Sequence, residues 1–153
     1  MPYLSASAVV FHEEALYQVY GGGIRSNVCH SSCACNAQIQ RTGGQWQSAE
    51  YSTFSMSDEA GKYQLSVSGY SGDAVDAMAG NSNANNNADG MKFSTPDQDN
   101  DLNPSINRAA IGGGGWWFGD WSNSRINGYR NGRWRLTIEV TDVQFSRMLV
   151  RAN

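Results

Sequence analysis

Apolar positions along the chain fall into three textures. Across residues 9–20 the apolar side chains Val9, Leu16, Val19 and Tyr20 recur loosely at helical spacing around Glu13 and Glu14, and Gly21, Gly22 and Gly23 then stop the helix. Beyond Trp46 the period shortens to two. YQLSVS, residues 63–68, sets Tyr63, Leu65 and Val67 on one face and predicts a half-buried strand. WRLTIEV repeats the pattern with Trp134, Leu136, Ile138 and Val140, and VQFSRMLVR predicts a closing strand with a bulge. Between these strands lies a long stretch without regular period. Its Asn-rich part, NSNANNNADG at residues 81–90, is flanked by patterned sequence and is therefore expected to be a surface loop rather than a disordered tract. The pattern as a whole predicts a small mixed α+β domain with a large irregular functional half.

Composition narrows the class. A chain of 153 residues with 40% hydrophobic and 16% charged side chains is long enough for one domain with its own core. A net charge of -3 with no Lys or Arg run argues against nucleic acid, which requires a concentrated basic face. Seventeen Gly, five Trp and seven Tyr among many Asn and Ser suggest a loop-rich extracellular fold with aromatic surfaces. The opening MPYLSASAVVFHEEALYQ has no basic segment, and its apolar run is broken by His12, Glu13 and Glu14, so it reads as mature chain whose leader, if the protein is secreted, has been removed or replaced by Met1. No apolar stretch is long enough to span a bilayer as a helix, so no membrane insertion is expected.

The cysteines are Cys29, Cys33 and Cys35. An odd count in an extracellular chain suggests one internal bridge and one bond to a second chain, hence a disulfide-linked homo- or heterodimer, with the pairing open. A soft-metal site with His30, or free thiols in a reducing compartment, are the competing readings.

Candidate chemistry centres on PDQDNDLN, where Asp97, Asp99 and Asp101 alternate with other residues. Like charges this close need a cation or an ordered hydrogen-bond network. An EF-hand is excluded, because Leu102 stands where the loop requires Gly and Arg108 where it requires Glu. A calcium site of another kind, or a run of Asx turns whose carboxylates bond their own backbone, both fit the spacing. The glycines of IGGGGWWFGDW, residues 111–121, precede no Lys-Ser/Thr and no helix-forming segment, so they are not a phosphate loop, and Trp116 and Trp117 are expected in the core. The two histidines, His12 and His30, stand beside acids and a cysteine and no free histidine serves a nucleophile, while carboxylates pair at Asp97 to Asp101 with nothing nearby to hold one protonated as an acid. The chain reads as a binder, not an enzyme.

Four stretches in register carry a likeness: AGKYQLSVSGYSGDAVDAM, NADGMKFSTPDQDNDLN, GGGWWFGD and SNSRINGY. In this order they resemble the C-terminal half of fibrinogen-related domains, especially ficolins and horseshoe-crab tachylectin-5-type lectins, over residues 50–128. The resemblance implies a small fibrinogen C-terminal-like α+β fold: a short twisted antiparallel sheet, one or two short helices and a large loop region. It spans residues 1–153 as one domain, in which residues 1–48 form a reduced or divergent element that completes the core. It further implies Ca²⁺ on the carboxylates of Asp99 and Asp101, supported by Asp97 and by the carbonyls of Asn103 and Ser105.

Beside that metal, such lectins hold the acetyl group of N-acetylated sugars, using two backbone N–H groups that follow a cis peptide. Carried over, the pocket comprises Asp120, the Trp121 and Ser122 backbone, and the aromatic walls Tyr129 and Trp134. The chain departs from the family here: Trp121 and Ser122 replace its Cys and His, and Arg108 replaces the half-cystine that bridges to that Cys. Their joint appearance predicts Arg108 stacked on Trp121, a cation-π contact of about 1 kcal/mol. The implied function is a secreted lectin for GlcNAc or GalNAc in innate recognition of microbes. The alternative is a fibrinogen-type module that captures a protein or peptide.

Overall fold

The structure is a computed structural model and describes residues 33–41, 43–112, 114–126, 132–135 and 143–152. The helix expected across residues 9–20, together with Cys29, Tyr129 and most of WRLTIEV, lies outside the described residues.

One four-stranded antiparallel sheet forms the floor of the domain. Its strands are β1 (Cys33–Arg41), β2 (Trp46–Met56), β3 (Leu65–Gly72) and β8 (Val143–Ala152), in the spatial order β3-β2-β1-β8. On β1 a strict alternation buries Cys33, Cys35, Ala37 and Ile39 and turns Ala34, Asn36, Gln38 and Gln40 outward. Strand β2 adds Ala49, Tyr51, Phe54 and Met56 to the same face. The hairpin β1–β2, with its bulge between Cys33 and Cys35, uses a segment in which the sequence predicts no strand. Strand β8 closes the sheet on β1, pairing Ile39 with Ser146 and Ala37 with Met148, and carries the expected bulge between Val143 and Phe145, opposite Arg41 and Gln40.

Strand β3 differs from its expected span. It begins at Leu65, because Lys62 and Tyr63 take left-handed backbone angles (φ 59° and 52°) to turn the chain back from β2. That turn is closed by hydrogen bonds from Tyr63 N to Asp58 O and from Gly61 N to the Asp58 carboxylate. Leu65 and Val67 face inward as their alternation requires, and Tyr63 packs against the core from the turn.

Over the floor lie the loops and short elements of the second half: β4 (Phe93–Ser94), α1 (Arg108–Gly112), β5 (Trp116–Trp117), β6 (Ser124–Arg125) and β7 (Arg133–Trp134). Strand β4 pairs with β5, and β6 with β7. Trp116 and Trp117 are core residues, as expected, and Trp117 meets Phe54, Phe93 and Trp116 edge-on with centroids 6.2, 5.2 and 5.2 Å away. Each indole N–H finds an acceptor: Trp117 donates to Tyr63 O at 2.8 Å and Trp116 to Ser124 Oγ at 3.3 Å.

Cys33 is disulfide-bonded, whereas Cys35 is a free thiol, 2% exposed, in the floor of the core. Burial pushes the Cys35 thiol up to about 12, so it stays protonated and unreactive. The bond to a second chain that the odd cysteine suggested is therefore not available from Cys35. No helix among the described residues is long and apolar enough to cross a membrane.

Candidate functional site

The Asn-rich stretch is a built support for the site. The Asn87 side chain accepts from Asn81 N and donates to Ala79 O and Asn81 O, and it is 7% exposed. Asn81 and Asn83 each accept the N–H two residues on, which sets up a single 3-10 turn at Ala84–Asn86. The carbonyls of that turn then receive Asp120 N at 3.0 Å and Asn123 N at 3.1 Å. Gly119 makes this docking possible, since a Cβ there would lie 1.9 Å from Asn85 O. Asparagine side chains thus hold the 119–123 turn where a ladder would otherwise do so.

The acidic loop is a ladder of Asx turns. Asp99 accepts from Asp101 N at 3.2 Å, Asp101 from Asn103 N at 2.7 Å, and Asn103 from Ser105 N at 3.0 Å. The second Asp101 oxygen accepts from Arg108 N at 2.7 Å and so caps the entry to α1, helped by Asn107, whose side-chain oxygen accepts from Ala110 N. Burial pushes the Asp101 carboxyl above its ordinary range and the nearby Asp99 charge adds to the rise, while the N–H groups of Arg108 and Asn103 oppose it. Asp97 points elsewhere. It is fully exposed, and its carboxyl is held down by a hydrogen bond from Thr95 and by its own N–H. The loop therefore brings Asp99, Asp101, Asn103 and Ser105 together and leaves Asp97 apart. Among the described residues no three His, Cys, Asp or Glu side chains converge.

The two loops meet at Asp120. Its Oδ1 accepts from Asn103 Nδ2 at 2.7 Å and pairs with Arg108 Nη2 at 3.4 Å. The Arg108 guanidinium lies over the Trp121 ring, 4.3 Å from its centroid, as the paired substitutions predict. Trp121 is 57% exposed and Ser122 is 7% exposed, its hydroxyl donating to Ser124 O. Neither the Trp121 N–H nor the Ser122 N–H bonds to another described residue.

One open point is decided here and one carried-over residue is corrected. The Asp120–Trp121 peptide is trans, for a cis bond costs about 3 kcal/mol and no bridge holds this turn. Trp134 is 0% exposed, with its indole N–H on Val75 O at 2.8 Å, so it belongs to the core and presents no face to a ligand. Two groups at the site escaped sequence reasoning. One is the buried Asn123 amide nitrogen, which has no hydrogen-bond partner among the described residues. The other is a set of three arginines, Arg125, Arg133 and Arg135, spaced by a hairpin whose pairing no local pattern announces.

Residues 24–143 match the C-terminal globular domain of fibrinogen beta and gamma chains. The techylectin-like protein of the spider Phoneutria nigriventer is 40% identical over 80 residues, which is 52% of this chain and 33% of that protein. The chain also superposes on the fibrinogen-like globe domain of human ANGPTL6, with TM-score 0.68 and 27% identity over 80% of this chain and 57% of that one. A lamprey fibrin D-dimer complexed with the peptide Gly-His-Arg-Pro-amide gives TM-score 0.58 and 26% identity over 74% of this chain and 37% of that one. The chain thus spans a third of its spider relative's length and little more than half of the globe domain. On the strength of the matched residues and the shared fold, the chain belongs to the fibrinogen C-terminal domain family.

Proposed function

We propose that the chain is a non-enzymatic, extracellular lectin that takes the acetamido group of N-acetylated sugars such as GlcNAc or GalNAc at the Asp120, Trp121 and Ser122 turn. The observation that carries this reading is the pairing of two backbone N–H groups, at Trp121 and Ser122, that bond to no other described residue, with a largely exposed indole. An acetamido group offers a carbonyl acceptor, an N–H donor and a methyl, and needs about one or two fixed donors plus an apolar surface. Backbone donors do not depend on side-chain identity, so the exchange of the family's Cys and His for Trp121 and Ser122 leaves them in place. Asp120 is positioned to accept from a sugar N–H or hydroxyl, and Tyr129 is proposed as a further aromatic wall. The likeness to a techylectin-like protein supports a lectin reading.

Calcium is proposed on the adjacent loop. The residues fit a weak site: Asp99 and Asp101 lie together, and the nearest guanidinium, Arg108, is committed to Asp120 and Trp121 rather than to them. Backbone carbonyls of Asn103 and Ser105 with water would complete the shell. Such an ion would relieve the Asp99–Asp101 repulsion and brace Asp120 through Asn103. Multiple sites per particle would raise avidity, and with Cys35 buried the assembly is expected to keep its mass under reducing conditions.

A second reading, capture of a peptide, is favoured by the likeness to a fibrin D-dimer solved with a peptide ligand, and by the Asp120 carboxylate, which is 44% exposed and could receive a cationic group. Calorimetric titration separates the readings. Heat with N-acetylglucosamine and none with glucose supports the lectin. No heat with either, but heat with short cationic peptides, replaces it with the peptide module. Repeating the sugar titration in EDTA tells whether Asp99 and Asp101 serve binding or only stability.

A further inference from the structure

We propose that the groove on the outer face of the four-stranded sheet is a docking surface for residues 9–20 of this same chain, which enter it as a helix with Glu13 set against Arg151. On the face turned away from the core, an open groove of about 510 Å³ is lined by Ala34, Asn36, Glu50, Ser71, Leu149 and Arg151. The strand register puts Ser71, Glu50, Asn36 and Leu149 in one row across the sheet, with Ala34 beside Arg151 in the next.

The middle of this groove has the chemistry of a contact surface. Ala34 and Leu149 are half-buried apolar groups. Asn36 donates from Nδ2 to Glu50 Oε1 at 3.2 Å, while its Oδ1 is buried without a hydrogen-bond partner among the described residues. A buried acceptor left in that state costs free energy until a donor reaches it. The two rims differ in sign. Glu50 stands on the β2 side and Arg151 on the β8 side.

The occupant is argued from the chain that leads into the groove. Residues 1–32 lie outside the described residues and run directly into β1 at Cys33, next to Ala34 in the groove wall. Residues 21–32 separate the helix expected across 9–20 from β1, and when extended they reach about 40 Å. Four strands are only about 14 Å from first to last, so this connection can return the helix anywhere on the face. Gly21, Gly22 and Gly23 supply the reversal. A helix over residues 9–20 is about 18 Å long, well within the length of β1.

Charge fixes the fit. At 3.6 residues per turn Val9, Leu16 and Tyr20 share one side of the helix, with Val19 at its edge and Glu13 in its middle. A carboxylate inside an apolar stripe is costly to bury unless the opposing surface brings a cation. Arg151 is that cation. The other arginine on this strand, Arg147, lies over Trp46 at 5.2 Å and donates to Gln38, and Glu50 on the opposite rim repels a carboxylate, so Glu13 is directed to the β8 side. Tyr20 on the same stripe carries an O–H donor of the kind Asn36 Oδ1 lacks.

The test replaces Leu149 by the photo-crosslinker p-benzoylphenylalanine in the full chain and maps the products, after reduction, by mass spectrometry. Crosslinks to residues 9–20 within a single chain, in a yield unchanged by tenfold dilution, are expected. Products of doubled mass that vanish on dilution would overturn the proposal in favour of a second copy, and crosslinks elsewhere or none would overturn it outright. A charge exchange decides the same point without the bulky probe. Glu13→Arg and Arg151→Glu are each expected to lower the melting temperature by about 2–4 °C, and the double exchange to recover at least half of the summed loss. Glu14→Arg makes the same change of charge on the far side of the helix and is expected to leave the melting temperature in place. Additive losses in the double exchange, or equal losses from Glu13→Arg and Glu14→Arg, would overturn the pairing.

Discussion

The sheet floor and the loop half of this domain reach order by different physics. In the floor, β1, β2, β3 and β8 satisfy their backbone through ladders, and an alternating face supplies Ile39, Tyr51, Phe54, Leu65 and Met148 to the core. In the loop half few ladders exist, and Asp and Asn side chains take their place by accepting the N–H groups of Asp101, Asn103, Ser105, Asn81 and Asn83. The floor rests mainly on apolar volume and ladder bonds. The loops depend on individual polar atoms, and the candidate site stands on them. Stability and binding are therefore expected to be separable by mutation.

The two halves share Trp134, and truncating it should have the largest effect. Trp134→Ala removes a fully buried indole and orphans Val75 O, so a loss of about 3–5 kcal/mol in urea unfolding is expected, with both halves melting together. If the floor kept its stability, the coupling of the halves would be refuted.

Alkaline pH should strike the floor next. Burial raises the Cys35 thiol from 9.0 to about 12, and the buried Tyr51 phenol, which donates to Asp76, is raised as well. Folded-state values above the unfolded ones mean that this stabilisation is complete below pH 9 and is lost as pH climbs towards 12. Urea midpoints measured from pH 8 upward should fall over that window, and Cys35 should react with a thiol reagent only on unfolding.

Gly119→Ala should sharpen the contrast. Its methyl would collide with Asn85 O and undock the turn at a cost of about 1–3 kcal/mol, abolishing ligand heat while leaving the far-ultraviolet signal of the sheet. Asn87→Ala deletes three hydrogen bonds of the supporting loop, and about 2 kcal/mol should be lost in the same assay. The smallest effect belongs to Arg108→Leu, which removes the contact over Trp121. About 1 kcal/mol of stability is at stake there, and a change in Trp121 fluorescence should report it.

Local pattern made part of this architecture legible. Alternation revealed β8 and the inward face of β3, and the paired replacements Arg108 and Trp121 announced their own contact. Strand β1 went unread because its inward positions are two cysteines, an alanine and one isoleucine, which resemble a bridge motif more than a strand. Trp134 was misjudged as a ligand wall, since alternation tells which residues share a face and not what covers that face. The acidic spacing admits both a metal and Asx turns, and the loop forms the turns while keeping Asp99 and Asp101 side by side.

The sequence by itself determined the family, the alternating strands and the chemical types gathered in the loops, because these depend on neighbours one to four residues apart. Only the tertiary structure decided that Asn85 and Asn86 receive the 119–123 turn, that Asp120 joins Asn103 to Arg108, and that Arg125 faces Arg133. Those contacts join segments whose separation along the chain carries no period, and their geometry follows from how the loops pack on the floor.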